Sequence, residues 1–117
     1  HLIADLATDE RLDAPAFIEQ VLRDAAAAAR VTLIEVRLHH FGEAHGVTGV
    51  ALLAESHISI HTWPEDELAA VDIFVCGAHA DPEAALAHIS AALNAQTINV
   101  TRIERLAGAA KAVRSTL

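Results

Sequence analysis

Residues 46–77 read GVTGVALLAESHISIHTWPEDELAAVDIFVCG and contain three β-rich runs joined by very short connections. The runs are Val47–Ala54, Ile58–Trp63 and Ala70–Cys76. Glu55-Ser56 separates the first two runs, and the polar turn Pro64–Leu68 separates the last two. Strands joined by so few residues pair antiparallel, because a parallel pairing needs a crossover of a dozen or more residues. This segment therefore predicts three consecutive antiparallel strands.

The flanking segments predict three more strands and two helices. Alternating or β-branched runs predict the strands, whereas Pro15 and the Asp81-Pro82 pair mark the helix starts. The expected elements are a strand over His1–Ala7, a helix from Pro15 to about Arg30, a strand over Val31–Phe41, a helix from Pro82 to about Asn94 and a strand over Gln96–Ile103. This order predicts an α+β fold, a two-layer sandwich with both helices on one face of a largely antiparallel sheet. The other face would be bare in a monomer, so we expect a dimer with four layers, αββα.

The composition indicates one compact, acidic domain. The chain has 117 residues, 53% of them hydrophobic, and a formal net charge of −8. This balance excludes a disordered chain and disfavours nucleic acid as a partner, because a phosphate backbone needs a basic surface. We expect one domain over residues 1–106 and an Ala/Gly-rich tail over 107–117. No apolar run approaches the ~20 residues of a membrane span, and the single cysteine, Cys76, is typical of the reducing cytoplasm.

Positive charge is absent from the middle of the sequence. All eight Lys and Arg residues lie outside positions 38–101, whereas half of the sixteen Asp and Glu residues lie inside this window. A site built from this window would therefore attract cationic ligands.

The eight histidines of the chain suggest a metal site as one hypothesis. His57 and His61 have the i, i+4 spacing that lets two imidazoles share one zinc ion on a helix. The residues between them alternate as in a strand, where the same spacing separates the two positions by roughly 13 Å. One ion does not bridge that distance, so we expect no metal. A non-catalytic, histidine-rich binding domain stays an alternative on these observations.

Four motifs in residues 46–77 together resemble the bacterial and archaeal S-adenosylmethionine decarboxylases. The motifs are GVTG at 46–49, ESH at 55–57, HTWPE at 61–65 and FVCG at 74–77. The opening HLIADL also resembles the first strand of that family, so the resemblance covers residues 1–104. Members of the family are pyruvoyl-dependent enzymes of polyamine synthesis. The resemblance implies a carboxy-lyase that converts S-adenosylmethionine to its decarboxylated form and CO₂ for spermidine synthesis.

The resemblance also implies that the chain cleaves itself. The hydroxyl of Ser56 would attack the carbonyl carbon of Glu55, and elimination would separate a β chain, residues 1–55, from an α chain, residues 56–117. A pyruvoyl group would remain at position 56 as the covalent cofactor. Its ketone would form a Schiff base with the substrate amine and accept the electrons released with CO₂.

Three further side chains receive catalytic roles from their positions in the motifs. By resemblance, His61 is the histidine of processing and proton transfer, and Thr48 supplies a hydroxyl that assists processing. Cys76 matches the proton donor in decarboxylation. The chain departs from the family at Thr48, because serine is usual at this position and the β-methyl group restricts the rotamer.

The substrate pocket is implied at Phe41, Trp63 and Glu65, with Phe41 as the ring that stacks on adenine. Two departures border it. The loop before the GVTG motif is one residue longer than usual, and Asp66-Glu67-Leu68 replaces an aromatic–glycine–aromatic stretch. Related pyruvoyl enzymes of this fold decarboxylate arginine or ornithine. These substrates stay an alternative, because they are cationic like S-adenosylmethionine and suit the same acidic window.

Strand geometry predicts where the catalytic residues meet. If the first two β-rich runs pair around their turn, Thr48 lies beside His61 or its neighbour, and in the next hairpin Ser56 or the residue after it faces Cys76. Ser56 and His61 are five residues apart on one strand, roughly 16 Å, whereas proton transfer needs about 3 Å. We therefore expect a homodimer with composite sites, in which Thr48 and His61 of one chain meet Ser56 and Cys76 of the other.

Overall fold

The computed structural model describes residues 1–105 and contains six β-strands and two α-helices. The strands are β1 (Leu2–Ala7), β2 (Leu33–His40), β3 (Val47–Leu53), β4 (His57–Trp63), β5 (Leu68–Phe74) and β6 (Gln96–Arg102). The helices are α1 (Pro15–Ala28) and α2 (Pro82–Ala92), and a 3₁₀ turn spans Pro64–Asp66. Each strand and helix expected from the sequence is present, and the expected tail, residues 107–117, lies outside the described residues.

The strands form one antiparallel sheet in the order β2-β3-β4-β5-β1-β6. Helix α1 packs on β2, β3 and β4, and α2 packs beside it on β5 and β1. Leu22 of α1 and Ile89 of α2 are fully buried in one core with strand residues such as Ile58. The predicted α+β sandwich with helices on one face is therefore confirmed, and the αββα dimer stays a prediction.

The second face of the sheet is open in the single chain. Buried and more exposed residues alternate along β3 and β4, as expected of strands with one covered face. The open face carries large apolar side chains that keep more than a third of their surface exposed, namely Leu52, Trp63, Leu68 and Ile98. Apolar surface of this kind is typical of a face that another protein covers.

The strand registers place the motif residues. Thr48 is the Cα partner of His61, which confirms the predicted β3–β4 pairing. The predicted β4–β5 pairing is wrong, because His57 pairs with Phe74 and Cys76 lies two residues beyond that last pair. The physical reason is a shorter connection than expected. The chain turns back at Glu67, so β5 begins at Leu68, two residues earlier than predicted.

Glu67 closes this connection in the left-handed backbone conformation, with φ 55° and ψ 41°. A side chain in this region costs about 1–2 kcal/mol, which glycine avoids. We predict that Glu67→Gly raises the free energy of unfolding by about 1 kcal/mol in urea denaturation. Asp66→Gly, one residue earlier in the 3₁₀ turn, should lower it instead. Equal destabilisation by both substitutions would contradict the strain at Glu67.

Candidate active site

Thr48 and His61 form a side-chain pair at one end of the β3–β4 hairpin. Their Cα atoms are direct partners in the sheet, and Thr48 Oγ1 lies 3.1 Å from His61 Nδ1. Thr48 is half-buried and His61 is exposed, and the burial pattern places both on the open face. A hydroxyl bonded to an imidazole can exchange a proton with it, and the free ring nitrogen can pass a proton on. The pair therefore has the composition of an acid–base group.

The pair lines a cavity of about 390 Å³ on the open face. The lining residues are Phe41, His45, Gly46, Thr48, His61, Thr62, Trp63 and Glu65. All three residues predicted for substrate binding are among them, together with both residues of the acid–base pair. His45 was not predicted as a lining residue, although it lies in the lengthened loop before the GVTG motif. The cavity combines the aromatic rings of Phe41 and Trp63 with several polar and ionisable side chains, so it can stack on a flat ligand and also hydrogen-bond to it.

Close backbone packing shapes the floor of this cavity. A Cβ atom at Gly46 would clash with the carbonyl oxygen of Thr62, so only glycine lets this loop lie against β4. Beneath it, the buried Thr62 hydroxyl donates to the Leu12 carbonyl at 2.7 Å and accepts from the Val47 N–H at 2.8 Å. These contacts explain why the GVTG and HTWPE motifs contain Gly46 and Thr62. Both residues shape the cavity without being reactive themselves.

The Glu55-Ser56 bond lies in the turn between β3 and β4. Backbone hydrogen bonds join Leu53 and Ser56 in both directions, at 3.0 and 3.4 Å, so Ala54 and Glu55 are the two turn residues. Glu55 is exposed and Ser56 is half-buried. The Ala54 N–H donates to the Thr32 carbonyl at 3.0 Å and anchors the turn to the start of β2. The Glu55-Ser56 peptide bond is therefore the point at which the hairpin could be cut with the least loss of strand pairing.

Cys76 lies at the same end of the sheet as Ser56. It is a free, half-buried cysteine two residues after the end of β5, and Ser56 directly precedes β4. His61 stands five residues further along β4, roughly 16 Å from Ser56. The structure thus brings Thr48 to His61 and places Ser56 and Cys76 at one end of the sheet, but it does not unite the two pairs within one chain.

A cationic side chain also lies at the end of the sheet that carries Ser56, although residues 38–101 contain no Lys or Arg. The guanidinium carbon of Arg105 lies 4.6 Å from the centre of the Phe74 ring, and its Nη1 lies 3.2 Å from His1 Nδ1. The Phe74 ring also stacks on His57, with ring centres 5.8 Å apart. The sequence alone hides this neighbourhood, because Arg105 reaches it through the pairing of β6 with β1.

The described residues contain no group of three or more His, Cys, Asp or Glu side chains placed to hold a metal ion. Over the same part of the chain, neither helix has the length and hydropathy needed to cross a membrane.

The chain is similar to proteins of one family. Residues 1–106 match the model of the family described as S-adenosylmethionine decarboxylase. The S-adenosylmethionine decarboxylase proenzyme of Methanococcus aeolicus is 48% identical over 107 residues, which cover 90% of this chain and 91% of that protein. The proenzyme of the same name from Parasynechococcus marenigrum is 55% identical over 86 residues, or 74% and 66% of the two chains. The crystal structure of the adenosylmethionine decarboxylase from Aquifex aeolicus VF5 aligns with a TM-score of 0.69 and 35% identity, over 89% of this chain and 91% of that one.

Proposed function

Since this chain belongs to the S-adenosylmethionine decarboxylase family, we propose that it is a self-processing decarboxylase that releases CO₂ from S-adenosylmethionine and so supplies spermidine synthesis. The observation that carries the proposal is the cavity in which the acid–base pair Thr48–His61 meets Phe41, Trp63 and Glu65. These five residues come from the end of β2, from β3, and from β4 and the turn after it, and the strand pairing gathers them around one space. Similar proteins named as decarboxylase proenzymes agree with a chain that is made as a precursor.

The precursor is cut by its own Ser56. The hydroxyl attacks the carbonyl carbon of Glu55 and turns the peptide bond into an ester, and elimination then releases residues 1–55 from residues 56–117. Hydrolysis then replaces the nitrogen at position 56 with the oxygen of water and releases ammonia, so that a pyruvoyl group remains. The position of the bond supports this step, because it lies in an exposed two-residue turn outside the β3–β4 ladder. The paired positions of the β3–β4 ladder are kept after the cut, although the hydrogen bond from the Ser56 N–H to the Leu53 carbonyl is lost with the nitrogen.

The side chains of the site bind the substrate and move protons. The pyruvoyl ketone supplies the electrophile for the substrate amine and the acceptor for the electrons that CO₂ leaves behind. Phe41 stacks on the adenine, and the carboxylate of Glu65 attracts the cationic part of the substrate. Thr48 and His61 hold and transfer protons, and the Cys76 thiol donates the proton that replaces CO₂. This thiol has to stay reduced, which agrees with a cytoplasmic enzyme.

A homodimer completes the site. One chain holds Thr48–His61 and Ser56–Cys76 at positions roughly 16 Å apart along the sheet, too far for proton transfer. Two copies stacked by their open faces would lie about 10 Å apart and be related by a two-fold axis. Thr48–His61 of each chain would then lie opposite Ser56–Cys76 of the other chain. The exposed Leu52, Trp63 and Leu68 would be covered in this αββα arrangement. Each of the two composite sites then takes residues from both chains.

The substrate is tested by release of labelled CO₂ from the purified, processed protein. We expect S-adenosylmethionine to be preferred over arginine and ornithine by about 100-fold in kcat/KM, because the amino acids lack a base to stack on Phe41 and each stacked base contributes about 1–3 kcal/mol. Inactive Cys76→Ala protein controls for contaminating decarboxylases. Faster release from arginine or ornithine would assign the site to a basic amino acid instead.

A further inference from the structure

His39 lies next to the acid–base pair on the sheet. It is the Cα partner of Thr48 in β2, and Thr48 is in turn the partner of His61 in β4, so the three residues form one row across the sheet. The hydroxyl of Thr48 is bonded to His61. His39 is not among the residues that line the cavity. A role for His39 therefore has to act through a neighbour.

That neighbour is Phe41. The two rings are 4.5 Å apart between centres and inclined at 73°, an edge-to-face contact at the short end of the usual range. The Phe41 N–H donates to the Gly46 carbonyl at 3.0 Å, which fixes the backbone but not the side chain. The Phe41 side chain is 59% exposed, and His39 is its one aromatic ring neighbour among residues 1–105. The His39 ring is therefore placed to restrict how the Phe41 ring turns.

We propose that His39 is a positioning residue that holds the Phe41 ring in the orientation that stacks on the adenine of the substrate. This inference rests on the proposed function, in which Phe41 is the stacking residue. An exposed phenylalanine that is free to rotate loses side-chain entropy when a ligand orders it, and a ring already held in place loses less. The benefit appears as tighter binding of the adenine part, because His39 contacts the Phe41 ring and does not itself line the cavity.

The test measures binding and catalysis separately in His39→Ala and His39→Leu. The probe for binding is 5′-methylthioadenosine, which carries the adenine but has neither the amine nor the carboxylate that reacts. We expect its dissociation constant and the KM for S-adenosylmethionine to rise roughly 3- to 10-fold in both variants, with kcat within about twofold of the unaltered protein. The leucine variant fills the space without a ring and serves if the alanine variant does not fold.

Two further variants separate positioning from general damage. His39→Phe keeps a ring at edge-to-face distance. Its dissociation constant for the nucleoside and its KM should therefore stay within about twofold of those of the unaltered protein. His88→Ala removes a histidine from helix α2, on the opposite side of the sheet, and should leave both unchanged. Unchanged binding of the nucleoside in His39→Leu, failure of His39→Phe to restore it, or a loss confined to kcat would each overturn the inference. An unaltered protein that neither binds the nucleoside nor releases CO₂ would instead overturn the proposed function.

Discussion

A Ser56→Ala variant should remain one continuous chain of 117 residues and release no CO₂. Alanine lacks the hydroxyl that, in the proposed reaction, attacks the Glu55 carbonyl, so neither the cut nor the pyruvoyl group should form. Loss of a covalent catalytic group costs at least about 1,000-fold in rate, and here the group is never made. Denaturing electrophoresis and the labelled-CO₂ assay measure the two effects on the same preparation.

Ser59→Ala is the matched control for this variant. Ser59 is a second half-buried serine, which lies three residues after Ser56, within β4 and inside the paired ladder. It should cleave and decarboxylate like the unaltered chain. Cleavage of the Ser56→Ala chain at its usual position, or full decarboxylase activity without cleavage, would show that Ser56 is not the source of the reactive group.

Co-expression of His61→Ala chains with Cys76→Ala chains should recover about a quarter of the unaltered activity, although each variant alone loses at least about 100-fold. In the proposed mixed dimer, the intact His61 of one chain would meet the intact Cys76 of the other in one of the two sites. Half of the dimers are mixed at random pairing, and half of their sites are complete. The measurement is CO₂ release per dimer after purification of the mixture.

A second pairing distinguishes shared sites from general stabilisation of one variant by another. Ser56 and Cys76 come from the same chain in the proposed site, so Ser56→Ala chains mixed with Cys76→Ala chains should stay inactive. Activity in this second mixture, or none in the first, would contradict the composite arrangement of the two pairs.

The β3–β4 hairpin could be predicted closely from its sequence. Its connection is short, so the alternation of residues around Glu55-Ser56 fixes the register to within one position, and Thr48 fell beside His61 as expected. The β4–β5 hairpin could not. Its register depends on a left-handed conformation at Glu67, and nothing in a glutamate signals a conformation that glycine usually supplies.

The candidate site shows the same division between local and long-range information. The family resemblance implied Phe41, Trp63 and Glu65 as the substrate-binding residues, and the fold collects them with the acid–base pair around one cavity. The contacts of His39 and Arg105 were not predicted, because strand pairing determines which residues lie next to them. His39 contacts the site through the β2–β3 register, and Arg105 reaches Phe74 from beyond β6. Such contacts require the sheet order, which periodicity alone does not give.

Mass spectrometry of the freshly purified, unaltered protein, with and without borohydride, tests self-cleavage at Ser56 most directly. We expect two fragments of this chain, residues 1–55 and residues 56–117, and the second should have a blocked N-terminus that borohydride reduces at its ketone. A folded protein that stays intact and takes up no hydrogen from borohydride would contradict it.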